Sequence, residues 1–234
     1  MLEALRRNPA NTHLGLMLAL TFTTGIVDAV GYLGLDRVFT GNMTGNVVIL
    51  GMALAGDTGL PVAGPLVALA AFMVGAAAAG RALRGAVPGW TRRHTALFAS
   101  VGLALVAAAI PAVAFDAQGR PLRFAVTALL GLAMGCQAAT ARHFAVKDVT
   151  TVVVTSTITG LASDSVLGRG TGQPWQRRVG AVALIGLGAV AGALMLRVDL
   201  GFALAVAAAI ILAAAWLGHA TRPRPIPVDA YDEE

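Results

Sequence analysis

Thr40-Gly41-Asn42-Met43-Thr44-Gly45-Asn46 interrupts an otherwise apolar stretch, and the fold turns on how that interruption is read. It leaves residues 36–56 with only about 13 continuous apolar-compatible positions, short of the roughly 20 that cross a bilayer as helix. Residues 142–168, broken by Thr, Ser and Gly, have the same character. Backbone N–H and C=O groups freed by such breaks cannot face lipid, where each unsatisfied group costs several kcal/mol. They must be buried in protein or line a wet cavity.

Around these two segments lie six continuous apolar stretches, 14–35, 62–80, 96–115, 124–141, 179–196 and 200–218, each with at most one ionised group. Each is long enough to cross about 30 Å of hydrocarbon at 1.5 Å per residue. The whole chain of 234 residues is 57% hydrophobic and 12% charged, about half the charge of a soluble domain, with a mean hydropathy of +0.75. Its solvent is therefore the lipid bilayer. Arg6-Arg7 ahead of the first stretch resembles a signal peptide in outline, but 22 apolar residues with one charge suit an uncleaved first span. The single cysteine, Cys136, excludes a disulfide framework and reads as a small buried packing residue.

Basic residues decide how many times the chain crosses, because loops that stay in the cytoplasm accumulate Lys and Arg. If both broken segments cross, with the N-terminus inside, the 17 basic residues divide nine to eight, which is no bias. If both enter and return on one side, thirteen lie inside and only Arg37, Arg120, Arg123 and Arg197 outside. The expected fold is thus an all-α polytopic helix bundle with six full spans, two re-entrant half-helix segments and both termini cytoplasmic. Three spans per half is an odd number, so repeated halves, 14–115 and 124–218, must be inverted relative to each other. A faint match at an offset of 115 supports this: Thr155-Ser156-Thr157-Ile158-Thr159-Gly160 repeats Thr, Thr and Gly of the first segment. The net charge of +5 then records topology and does not indicate a nucleic-acid partner.

The first segment is expected to turn at Gly41 and Gly45 and to offer Thr40, Asn42, Thr44 and Asn46 as polar partners. Val47 to Ala55 would form a half-helix capped by Thr44 or Asn46. A half-helix N-terminus at the midplane carries partial positive charge and free N–H groups, which suits anions or substrate carboxylates. In the second segment Thr155, Ser156, Thr157 and Thr159 would precede Gly160 and a short helix containing Asp164. Asp28, two-thirds along the first span, is costly enough to be functional or paired, with Arg142 and His143 as candidate charge partners. Gln137 and Thr140 add a polar stripe to the fourth span. Small-residue pairs at Gly131/Gly135 and Gly188/Gly192 read as helix-packing devices.

Catalytic signatures are missing. The histidines at 13, 94, 143 and 219 lack metal-ligand spacing, and no Walker loop, dinucleotide fingerprint or nucleophile elbow occurs, so neither an enzyme nor a cofactor nor a metal is expected. Residues 219–234, rich in Pro and ending in Asp-Glu-Glu, read as a disordered cytoplasmic tail. Gly25-x-x-Asp28-Ala29, Phe39, Met43-Thr44-Gly45-Asn46, Gly135-x-Gln137-x-Ala139 and Thr159-Gly160 with Asp164 resemble the YoaK-like family of small bacterial inner-membrane proteins, over residues 20–215. The resemblance implies a bacterial cytoplasmic-membrane protein with a transporter-like fold, from a family with no established substrate. Leu161 stands where Asn46 would recur, so the two caps are not chemically equivalent. The expected function is transport of a small solute or ion at a midplane site formed by the two segments. A non-transporting scaffold or accessory subunit is the alternative, and a homodimer is compatible with either.

Overall fold

The computed structural model describes residue 3 and residues 8–56, 59–87, 89–114, 119–144, 154–166, 168–170 and 175–222. All regular structure among them is helical: α1 (Pro9–Val30), continued by a π-helical turn (Gly31–Asp36), α2 (Met43–Leu54), α3 (Ala63–Ala82), α4 (Arg92–Ala114), α5 (Arg120–His143), α6 (Val154–Ser163), α7 (Trp175–Met195) and α8 (Leu200–Thr221). Six of these, α1 with its π turn, α3, α4, α5, α7 and α8, are long and apolar enough to cross a membrane. Together they make a polytopic helical membrane bundle. Leu33, Leu54, Met73, Val74, Leu103, Ile110 and Trp216 stand exposed on its outside, whereas Leu20, Ile26, Phe98, Leu105, Leu130, Met134 and Ile211 fill its centre. Helix α8 continues to Thr221, three residues into the stretch read as tail, and residues 223–234 lie outside the described residues.

Close contacts fix the direction of each helix. A Cβ placed on Gly188 would lie 2.9 Å from the Phe22 carbonyl carbon, and one on Gly192 would lie 2.8 Å from the Ile26 carbonyl oxygen, so α1 and α7 run the same way. On Gly131 it would lie 2.9 Å from the Ala68 oxygen and on Gly135 2.8 Å from the Phe72 carbonyl carbon, so α3 and α5 also run together. Helices α4 and α8 are antiparallel, since Gly102 faces Ala208 and Leu212 while Trp90 covers Gly218. His94 reaches His143, which sets the start of α4 beside the end of α5. These relations give the bundle two ends. One holds the starts of α1, α4 and α7 and the ends of α3, α5 and α8; the other holds their opposite termini.

The first broken segment leaves and returns at the same end. Asp36 closes the π turn, and a Cβ on Gly64, at the start of α3, would lie 2.6 Å from Val38 Cγ2 and 3.9 Å from Asp36 Oδ2. At the opposite end His143 closes α5 and Trp175 opens α7; residues 145–153, 167 and 171–174 between them lie outside the described residues. Among the described basic residues, Arg81, Arg84, Arg92, Arg93, Arg142, Arg169, Arg177, Arg178 and Arg222 belong to the end where α1 starts, and Arg37, Arg120, Arg123 and Arg197 to the other.

The two parallel helix pairs are clasped in the same manner. In one, Gly25 meets the backbone at Ile185 and Gly188 that at Phe22; in the other, Gly135 meets Phe72 and Gly75 meets Leu132. Phe22 and Gly25 thus correspond to Leu132 and Gly135, a shift of 110, while Phe72 and Gly75 correspond to Ile185 and Gly188, a shift of 113. Neither is the 115 read from the Thr-Gly match. The four glycines expected to pack helices do so, and Cys136 is a buried free thiol.

Candidate functional site

The break after α1 is built by its own backbone. The π turn widens the end of the helix, Arg37 takes a left-handed conformation (φ 53°), and Val38 N–H donates to the Gly31 carbonyl at 3.4 Å. Gly31 is required here, because any Cβ would overlap the Val38 carbonyl oxygen. The chain then runs back alongside α1 until it lies level with Val27 and Asp28. There the N–H groups of Thr40, Gly41 and Asn42 all donate to Asp28 Oδ1, at 3.0, 2.7 and 3.3 Å. Three successive amides around one carboxylate oxygen form an anion nest occupied by the protein's own side chain. The hydroxyl of Thr40, fully buried, donates to the Val27 carbonyl at 3.3 Å.

Asn42, rather than Thr44 or Asn46, caps α2: its Oδ1 accepts the Gly45 N–H at 3.2 Å, and the helix runs from Met43 to Leu54 instead of starting at Val47. Four extra residues are helical because Asn42 supplies the acceptor at the break itself. Asn46, buried one turn further on, grips Phe39 by both backbone groups: Oδ1 accepts its N–H at 2.9 Å and Nδ2 donates to its carbonyl. The amide is consumed in holding the return strand. A Cβ on Gly45 would lie 2.6 Å from Phe39 Cδ2, so Gly45 lets that ring lie flat on α2, where it stacks on Tyr32 at 4.9 Å.

A cavity of about 570 Å³ opens beside this break. It brings together Asp28, Asn42, Thr44 and Gly45 from the first segment with Val154 and Thr155 from the second, walled by Thr24, Tyr32, Phe39, Phe72 and Ile185. Phe72 and Ile185 are the corresponding residues of the two helix clasps, so the cavity sits between them. Asp28 Oδ2 has no hydrogen-bond partner among the described residues. Behind the wall, Gln137 is wholly buried: Nε2 donates to Thr24 Oγ1 at 3.1 Å and to the Leu20 carbonyl at 3.4 Å, while Oε1 has no partner among the described residues.

Other expected site residues lie elsewhere. Thr155 to Gly160 do not precede a helix but form α6 itself, and Asp164 falls just beyond its end. The hydroxyl-rich run is compatible with helix because its neighbours bury only Thr157, leaving Thr155 and Thr159 exposed. Gly160 and Asp164 line a separate pocket with Arg178, whose Nη1 donates to Asp164 Oδ2 at 2.8 Å; Arg169 approaches the same carboxylate at 3.6 Å. Gly160 has a packing reason, since a Cβ there would lie 2.9 Å from Arg178 Nη1. The Arg178 hydrogen bond holds the Asp164 carboxyl below its ordinary range, so the link is complete at neutral pH and opens only as pH falls through that lowered value.

Asp28 pairs with neither Arg142 nor His143. Both are exposed at the end where α1 starts, and His143 Nδ1 instead lies 3.1 Å from His94 Nε2. The expected charge pairing of Asp28 with His143 is therefore not formed. The four histidines, scattered along the sequence, converge at this end. His94 Nδ1 accepts the Thr91 N–H at 3.1 Å, Thr95 Oγ1 bridges Trp90 Nε1 (2.8 Å) and His219 Nδ1 (3.3 Å), and His13 packs on Trp90 and Phe144. Among the described residues no three His, Cys, Asp or Glu side chains are placed to hold a metal ion.

Over residues 16–217 the chain matches the family model described as protein of unknown function (DUF1275). Among curated proteins it is 32% identical over 158 residues to the UPF0700 transmembrane protein YoaK of Bacillus subtilis (strain 168), an overlap of 66% of this chain and 66% of the relative. The match thus spans about two thirds of that relative's length. No solved structure matches.

Proposed function

The chain belongs to the DUF1275 family, and on that premise we propose that it moves a small solute or ion across the bacterial cytoplasmic membrane, as a secondary transporter or channel-like protein. One observation carries the reading. Two segments that enter from opposite ends of the bundle meet at one polar cavity, and a carboxylate oxygen on its wall is left without a partner among the described residues. Broken helices meeting at mid-depth are the usual way for a membrane fold to place backbone and ionisable groups against a substrate. The matching glycine clasps, shifted by 110 and 113, support two halves related as an inverted repeat with two re-entrant helices. The second half takes no counterpart of Asp28 from this relation, since a shift of 110 sets Ala138 there. The binding chemistry belongs to the first half.

Uptake of a panel of amines, alkali cations and small organic acids into liposomes carrying the purified protein tests this. At least one should enter faster than into protein-free liposomes, and Asp28→Asn should lower that rate about tenfold or more, equivalent to about 1.4 kcal/mol of lost interaction. If nothing moves, the scaffold reading takes its place. That alternative draws its support from Asn46 and Gln137, whose amides bind the chain to itself instead of facing the cavity. Orientation follows from the basic residues: the end where α1 starts is cytoplasmic, so a reporter at Gly85 should stay inside and one at Gly119 should be translocated. The reverse pair of results would invert the topology.

A further inference from the structure

We propose that the cavity beside Asp28 takes a small organic ammonium cation, with the Asp28 carboxylate as counter-ion and the Tyr32–Phe39 ring pair as its apolar wall. The proposal rests on the transport reading's site and names its substrate class. A broken helix ordinarily invites an anion, because its freed N–H groups point at the gap. Here five of those donors are already taken: Thr40, Gly41 and Asn42 donate to Asp28 Oδ1, Met43 to the Gly41 carbonyl, and Gly45 to the Asn42 side chain. An external anion would meet a carboxylate in place of a nest.

The charge balance points the same way. Among the described residues Asp28 Oδ2 has no partner and no Lys, Arg or His lines the cavity. An uncompensated carboxylate in a low-dielectric bundle is costly, and a cation beside it removes that cost. The walls select which cation. Tyr32 and Phe39 stack at 4.9 Å with both rings on the cavity, and Phe72 adds a third from α3. Aromatic faces attract weakly hydrated ammonium groups through their quadrupole, whereas a bare alkali ion would need a closed shell of oxygens. Thr44 and Thr155, one from each segment, supply hydroxyl acceptors for an ammonium N–H, and about 570 Å³ exceeds what a desolvated metal ion would fill.

Choline is a suitable probe because 3,3-dimethyl-1-butanol has the same shape with carbon in place of the charged nitrogen. Melting of the purified full-length protein in detergent would be followed with choline chloride, methylammonium chloride, the carbon isostere and sodium acetate, against sodium chloride at equal ionic strength. Saturable stabilisation of about 3–6 °C is expected with at least one ammonium salt, and none with the isostere or with acetate. Asp28→Asn keeps Oδ1 as acceptor for the three amides while removing the charge, and should abolish the shift. Tyr32→Ala, which leaves the carboxylate in place, should weaken it. Equal stabilisation by the isostere, stabilisation by acetate or by sodium alone, a shift that survives Asp28→Asn, or no ammonium shift would each overturn the assignment. Ammonium binding without flux would remove the transport reading and leave this one, and flux of organic acids alone would do the opposite.

Discussion

Asp28→Ala should leave the protein far less stable than Asp28→Asn, by about 2–6 kcal/mol, although both remove the same charge. The asymmetry follows from what Oδ1 holds. Thr40 and Gly41 are buried, and their N–H groups have the Asp28 oxygen as acceptor, at 3.0 and 2.7 Å. Alanine leaves both donors unsatisfied at about 1–3 kcal/mol each, while Asn42 N–H, on the exposed side of the break, can turn to water. Against a net stability of about 5–15 kcal/mol, such a loss strips the return strand from α1 and with it the cavity. Asparagine retains the acceptor and should melt within about 1 kcal/mol of the native protein. Melting in detergent, with recovery of monodisperse protein by size exclusion, separates the two. If alanine and asparagine variants are equally stable, the carboxylate does not organise the break.

Much of this architecture was legible from composition and charge. Six spans followed from run length alone, and in the first broken segment the chain comes back so that Gly64 meets Val38 and Asp36. Asp28 stood out because a carboxylate in a span needs a reason. What it bonds did not, because its partners are backbone amides, which leave no mark on residue identity. The same blindness put the α2 cap at Thr44 or Asn46 when Asn42 was equally qualified by type. The histidine cluster had a signal that spacing rules miss. With alternating spans, positions 13, 94, 143 and 219 all fall at one end of the bundle, so topology rather than a motif predicted their meeting. The Thr-Gly match at 115 and the glycine clasps at 110 and 113 give different shifts, and only the clasps are constrained by backbone contact.

Those glycines give the second large effect. Alanine at Gly135 or Gly188 should cost about 2–4 kcal/mol each, whereas alanine at Gly180 or Gly186 should be neutral or stabilising by up to about 1 kcal/mol. At the clasps a Cβ would lie 2.8 Å from the Phe72 carbonyl carbon or 2.9 Å from that of Phe22, and would overlap the carbonyl oxygens. Backbone of a packed helix cannot rotate aside as a side chain would, so the helices must move apart and lose the close contact that holds them in lipid. Gly180 and Gly186 have nothing within 4 Å of an added Cβ, so there alanine only removes the helix-propensity penalty of glycine. The two clasp variants should be nearly additive in a double mutant, because they act on different helix pairs. They should also share a functional cost that a purely structural interface would not have. Phe72 and Ile185, whose backbones the clasps hold, both line the cavity, and α1 carries Asp28. Separating either pair widens the cavity, so ammonium-dependent stabilisation should fall in both variants at temperatures where each is still folded. Melting curves with and without choline, measured on all four single variants and the double, test both halves of this expectation. Loss of stability with unchanged ligand response would place the cavity's walls elsewhere than between the two clasps.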